Sequence, residues 1–97
     1  MVKHIVMFQL QGSDEVRREV ALRFKQALDA LPEQIDVLQS IEVALNENPS
    51  EDWDIVLTAI VPTMEDVGVY ARHPAHVAAA AIIKDVKRSR ACVDYRY

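Results

Sequence analysis

The chain opens in strict alternation. From Val2 to Leu10, the residues Val2, His4, Val6, Phe8 and Leu10 fall on one side of an extended segment and Lys3, Ile5, Met7 and Gln9 on the other, the period-two pattern of a strand. Gly12-Ser13 ends it, and the period then lengthens. Val16, Val20, Phe24, Ala27, Leu28 and Leu31 recur at spacings of three and four, which marks one apolar helical face, with Ser13 as N-cap and Asp14 and Glu15 in the first turn. Pro32 closes this helix. Alternation returns from Ile35 to Leu45, with Val37, Ile41, Val43 and Leu45 on one side and Leu38 and Ala44 on the other, predicting a second strand. The turn formers Asn46 to Ser50 lead into a third strand over Trp53 to Val61. Thr63 with Asp66 three residues on resembles a capping box and predicts a short helix through about Ala71. Pro74 interrupts it, so His73 is the break and Pro74 opens a second helix running to about Arg88. Ala91 to Tyr97 alternates again as a final strand.

The order β-α-β-β-α-β is a split βαβ arrangement: an α+β, ferredoxin-like protomer in which a four-stranded antiparallel sheet carries its helices on one face. The other face decides the assembly. Strands one and three are apolar on both sides, whereas a sheet with one solvated face shows polar residues there. The predicted helices cover one face and no residues remain for a third layer, so the uncovered face becomes an apolar patch that a symmetric partner would bury. The expectation is an obligate homodimer, sheet against sheet, burying more than roughly 2,000 Å² in total.

Composition narrows the classes of partner. The chain has 97 residues, one domain's length, and is 51% hydrophobic with 2 glycines and 4 prolines, a globular composition. The formal charge is −4, and the basic residues are dispersed except for Lys84, Lys87, Arg88 and Arg90, so no long basic stripe is available for phosphates and nucleic acid is not an expected partner. No apolar run approaches the roughly 20 residues of a membrane span, and the N-terminus starts as a strand without a signal-type core, which predicts a cytoplasmic protein with no membrane partner. Cys92, the single cysteine, reads as a small packed thiol.

Of the 3 histidines, two sit in the tetrapeptide His73-Pro74-Ala75-His76, three residues after Tyr70, and the third, His4, lies on the first strand. With an ordinary pKa of about 6.5, imidazoles gathered in this way invite a reading as proton donors or acceptors near neutral pH.

Five segments, in order, resemble the stress-responsive A/B barrel domain family, often called Dabb: the opening Met1 to Phe8, Leu31-Pro32 after the first helix, Trp53-Asp54-Ile55-Val56-Leu57, Tyr70 to Val77 containing the histidine-proline motif, and the closing Val93-Asp94-Tyr95. The similarity spans essentially the whole chain, and its most specific parts are the opening strand and the histidine-proline segment. The resemblance implies a ferredoxin-like protomer and a dimeric α+β barrel. The family includes heat-stable stress-associated plant proteins, plant polyketide cyclases and many bacterial proteins. In the cyclases, the histidines matching His4 and His76 line a cavity with a tyrosine matching Tyr70.

The chemistry open to such residues can be argued directly. His76 falls in the first turn of a helix, where the positive end of the dipole disfavours an imidazolium and keeps a neutral base available at pH 7. Tyr70 can donate to an oxyanion that develops beside a carbonyl, and His4 can donate a proton or orient the substrate. This is aldol-type ring closure or related proton transfer without metal or organic cofactor, on a small apolar or aromatic, polyketide-like ligand. The pocket is expected to open near Tyr70 and the His73-Pro74 break, with His4, Val6 and Phe8 at its back. The alternative is a non-catalytic stress-related or structural homodimer. In that reading His73 caps a helix, His76 hydrogen-bonds another element, and His4 and Tyr70 are satisfied core residues. A metal site is not expected, because Pro74 breaks the register between His73 and His76 and zinc would need further ligands.

Overall fold

A computed structural model describes residues 1–97. In chain order it contains β1 (Val2–Leu10), α1 (Asp14–Asp29), a 3-10 turn at Leu31–Glu33, β2 (Ser40–Leu45), β3 (Ile55–Val61), α2 (Met64–Arg72), α3 (Pro74–Ala81) and β4 (Lys87–Arg96). The strands form one sheet in the order β2-β3-β1-β4, with every neighbouring pair antiparallel. This is the ferredoxin-like protomer expected from the periodicities.

The sheet has two distinct faces. Val2, Val6, Phe8 and Leu10 of β1, Ile55, Leu57, Ala59 and Val61 of β3, and Val43 of β2 are buried with Ala21, Phe24 and Leu28 of α1, Tyr70 of α2 and Ala79 of α3. The opposite face carries Ile5, Met7, Val56, Ile60, Ala91, Val93 and Tyr95 with no helix over it, and Val93 is 63% exposed. β1 therefore alternates between core and uncovered face along its whole length.

Caps set the helix boundaries. The Ser13 side chain accepts the Val16 N–H at the start of α1, and Thr63 and Asp66 form the reciprocal capping box that opens α2. Val16, on the expected apolar face of α1, instead lies exposed in its first turn, and burial begins with Val20 and Ala21.

Four boundaries differ from the sequence reading. Ile35 to Gln39 is not strand: Leu38 N–H bonds Ile35 C=O and Ile35 N–H bonds Leu31 C=O, so Ile35 and Leu38 reach the core from turns, and β2 starts at Ser40. β3 starts at Ile55, after Trp53. The helix opened by Pro74 stops at Ala81 and not near Arg88, because Ile82 to Val86 form short turns and Lys87 already pairs with Leu10. Strand pairing outweighs the helix-compatible composition of Lys84 to Arg88, and β4 begins four residues before Ala91. The polarity that disguises this stretch suits an edge strand.

No helix is long and apolar enough to cross a membrane.

Candidate functional site

A cavity of about 330 Å³ lies between the sheet and the α2-α3 arm. Its apolar floor is built from Val6, Phe8, Phe24, Leu57, Ala80 and Ile83, and its polar groups are His4, Tyr70, His76, Lys87, Arg90, Cys92 and Asp94. The chamber is on the helix side of a single protomer, so it does not require the meeting of two sheets. Tyr70 is 1% exposed and sits at the bottom, whereas Lys87, Arg90, Cys92 and Asp94 are exposed along β4. The exposed part of the lining accordingly follows the edge strand, together with Ala71, two residues before the His73-Pro74 break.

The break also has a capping task, and its hydrogen bonds explain the motif. In an uninterrupted helix the Ala75 N–H would bond the Ala71 carbonyl. Pro74 turns His73 to extended dihedrals, and the His73 Nδ1 accepts the Ala75 N–H at 3.0 Å as the N-cap of α3. The released Ala71 carbonyl lies 2.9 Å from His76 Nδ1. A carbonyl only accepts, so Nδ1 carries the proton and the Nε2 lone pair of the neutral ring is free. His73 thus lies outside the cavity wall and acts on the site through the backbone, a correction to its placement among the pocket residues.

His4 is held in a comparable way. It stands between Ala59 and Asp94 in the register of the sheet, and its Nδ1 is 2.5 Å from the Asp94 carboxylate. The carboxylate accepts, so Nδ1 donates and Nε2 is again the open nitrogen. The rings of His4 and Tyr70 meet edge-on at 5.8 Å between centroids, and those of Tyr70 and His76 lie 4.6 Å apart. Tyr70 is therefore flanked by the two imidazoles, and its buried hydroxyl has no hydrogen-bond partner.

The environment tunes these groups in specific directions. Burial pushes the Tyr70 phenol up to about 12, so the hydroxyl is a donor at any physiological pH. His76 is lowered, first by burial; the Ala71 bond opposes the shift, and the electrostatic influence of His4 and Arg90 adds to it. The direction matches the expectation from the helix terminus, but desolvation is its leading cause. Burial and then Asp94 raise the Cys92 thiol, which keeps it protonated.

His4 Nδ1, Cys92 Sγ and an Asp94 oxygen lie within 4.8 Å of one another, a set of atom types able to ligate a cation. Two ligands about 2.0 Å from a tetrahedral zinc must stand about 3.3 Å apart. The His4–Asp94 pair at 2.5 Å is closer than that and has the geometry of a hydrogen bond. Asp94, Cys92 and Arg90 were missed as site residues by sequence reasoning. The available signal was register: the alternate positions Arg90, Cys92 and Asp94 of the final strand face the side on which His4 lies.

The fold and this site together define a member of the stress responsive A/B barrel domain family, Dabb, to which the chain belongs with residues 2–97 matched. Among solved structures it is similar to a dimeric protein of ferredoxin-like fold from Bacteroides fragilis, with 48% identity over 99% of this chain and 95% of that one and a TM-score of 0.96. Dimeric ferredoxin-like proteins from Jannaschia and Thermobifida fusca share the fold at 20% identity each. The first has a TM-score of 0.81 over 99% of this chain and 98% of its own, the second 0.76 over 99% and 90%. No curated protein matches the chain.

Proposed function

We propose that this Dabb protein is a homodimer whose protomers each bind a small apolar or aromatic ligand and catalyse cofactor-independent proton transfer, of the kind that closes a polyketide ring. His76 Nε2 takes a proton from a carbon beside a carbonyl, and the Tyr70 hydroxyl donates to the enolate oxygen that develops. The imidazolium of His76 returns the proton when the enolate carbon has attacked its electrophile and the resulting alkoxide needs one. His4, fixed by Asp94, orients the oxygen-bearing part of the ligand.

The observation that carries this reading is the Tyr70 hydroxyl, buried with no partner of its own on a ring that two imidazoles flank. An unsatisfied buried hydroxyl costs about 1–3 kcal/mol, and a ligand oxygen in the cavity would remove that cost. The dimer rests on the uncovered apolar face and on the dimeric character of the similar proteins named above.

A general probe tests the base. In 5-nitrobenzisoxazole, removal of the C3 proton breaks the N–O bond and releases a coloured phenolate, so proton abstraction is read directly. The expected result is turnover that saturates with probe and falls at least about 100-fold in His76→Ala, the usual contribution of a positioned base. Equal rates in the wild type and His76→Ala refute the assignment.

A further inference from the structure

Two cations stand at the mouth of the cavity without an ion-pair partner. The ion pairs of the protomer are His4–Asp94, Arg17–Asp14, Arg17–Asp54 and Lys25–Asp29, and neither Lys87 nor Arg90 takes part in any. Both line the cavity. The one carboxylate on its wall, Asp94, is engaged by His4. A chain with a formal charge of −4 thus presents a local excess of positive charge where its apolar cavity opens.

The backbone is arranged to produce this pairing. Along β4 the residues opposite Phe8, Val6 and His4 are Arg90, Cys92 and Asp94, every second position, and all face the helices. Continued alternation would bring Arg88 to that side and turn Lys87 to the other. The register instead shifts between Gln9 and Leu10: Ser89 pairs with Gln9 and Lys87 with Leu10, leaving Arg88 as the extra residue. A bulge of this kind re-aims side chains. Here it places Lys87 on the face of Arg90, and both cations border the floor formed by Phe8, Phe24 and Ile83.

We infer that the cavity selects ligands that pair an apolar or aromatic body with an anionic group, a carboxylate in the simplest case, and that Arg90, assisted by Lys87, binds that group at the mouth. This rests on the cavity being a ligand site, as proposed above, and adds the substrate's charge and orientation. The planar guanidinium of Arg90 suits two-point binding of a carboxylate, and Lys87 supplies a second, mobile charge. The apolar body then points inward toward Tyr70 and His76, and the anionic group stays at the Phe8 end of the strand pair, away from the repulsion of Asp94 beside His4.

A matched pair of probes tests it by calorimetry on the intact protein: 2-naphthoate and its neutral counterpart 2-naphthamide. The expected result is at least about tenfold tighter binding of the naphthoate, the range of one charge-assisted hydrogen-bonded contact, with a preference that shrinks as salt is raised. Lys87→Gln/Arg90→Gln should weaken naphthoate to the level of naphthamide while leaving naphthamide unchanged, and Arg18→Gln/Arg23→Gln on α1, with the same loss of two charges, should change neither. Both cations are exposed, so the double variant is expected to fold, checked by its circular dichroism and dimer mass. Equal binding of the two probes by the wild type, or an unaltered preference in the double variant, overturns the anion selectivity and leaves the pocket standing. Failure of both probes to bind removes the pocket as a ligand site and this inference with it.

Discussion

Replacing Tyr70 by Phe separates the functional from the structural meaning of its hydroxyl. The side chain is 1% exposed, its oxygen has no partner, and its ring is packed between His4 and His76. In the ligand-free protein the oxygen carries a desolvation cost of about 1–3 kcal/mol and returns only the dispersion contacts of one atom at a cavity wall. Tyr70→Phe keeps the ring and should therefore raise stability by about 1 kcal/mol, equivalent to about 4–8 °C in Tm for a domain of this size. Urea unfolding at fixed protomer concentration, which the expected dimer requires, measures it as a higher midpoint with an unchanged slope. The same variant loses its oxyanion donor and should turn over an enolisable substrate about 100- to 1,000-fold more slowly. Stability and activity thus move in opposite directions. A loss of stability of about 1 kcal/mol or more would mean that the hydroxyl already holds a structural partner, and the functional reading of this residue would fail.

Three further predictions concern the surroundings. His76 is lowered below its ordinary pKa of about 6.5, so between the folded and unfolded values the unfolded chain binds a proton that the folded chain does not. Stability should consequently fall as pH drops from about 6.5 through that window and be flat above it, a slope that urea titrations should find missing in His76→Asn; the rate of proton transfer should hold its plateau to below about 6.5. His73→Ala removes the N-cap of α3 and should cost about 1 kcal/mol, with His73→Asn restoring most of it in thermal melts. Val93→Lys places a charge on the uncovered sheet face and should weaken the dimer at least about 100-fold, about 2.7 kcal/mol, seen by sedimentation as protomers at micromolar concentration.

Legibility in the sequence followed the range of the interactions concerned. The cap at Ser13, the capping box of Thr63 and Asp66 and the role of His73 before Pro74 are local, and each could be read from residues within three positions. The two-faced character of β1 was equally plain, because alternation reports burial directly. What escaped depended on partners distant in sequence. Lys84 to Arg88 look like a helix end until Lys87 meets Leu10, and Ile35 and Leu38 look like strand residues until their turns are seen. The same limit explains the site. His4, Tyr70 and His76 stood out as chemistry-bearing residue types, but Asp94 gains meaning only opposite His4, and Arg90 only opposite Phe8.

The edge strand ties assembly to chemistry. On one side β4 presents Ala91, Val93 and Tyr95 to the uncovered face, and on the other it presents Arg90, Cys92 and Asp94 to the cavity. Its hydrogen bonds reach only β1, since it has no second neighbour in the sheet. An edge strand held from one side opens more readily than a central one. A partner packed on Val93 and Tyr95 would restrain β4 from the outer face and, through the strand's alternation, hold Asp94 against His4 and Arg90 at the mouth. Dimerisation would then matter to a cavity it does not line, and Val93→Lys should weaken naphthoate binding without touching a single residue on the cavity wall. Full binding by a folded Val93→Lys protomer would show instead that β1 alone keeps the strand in place.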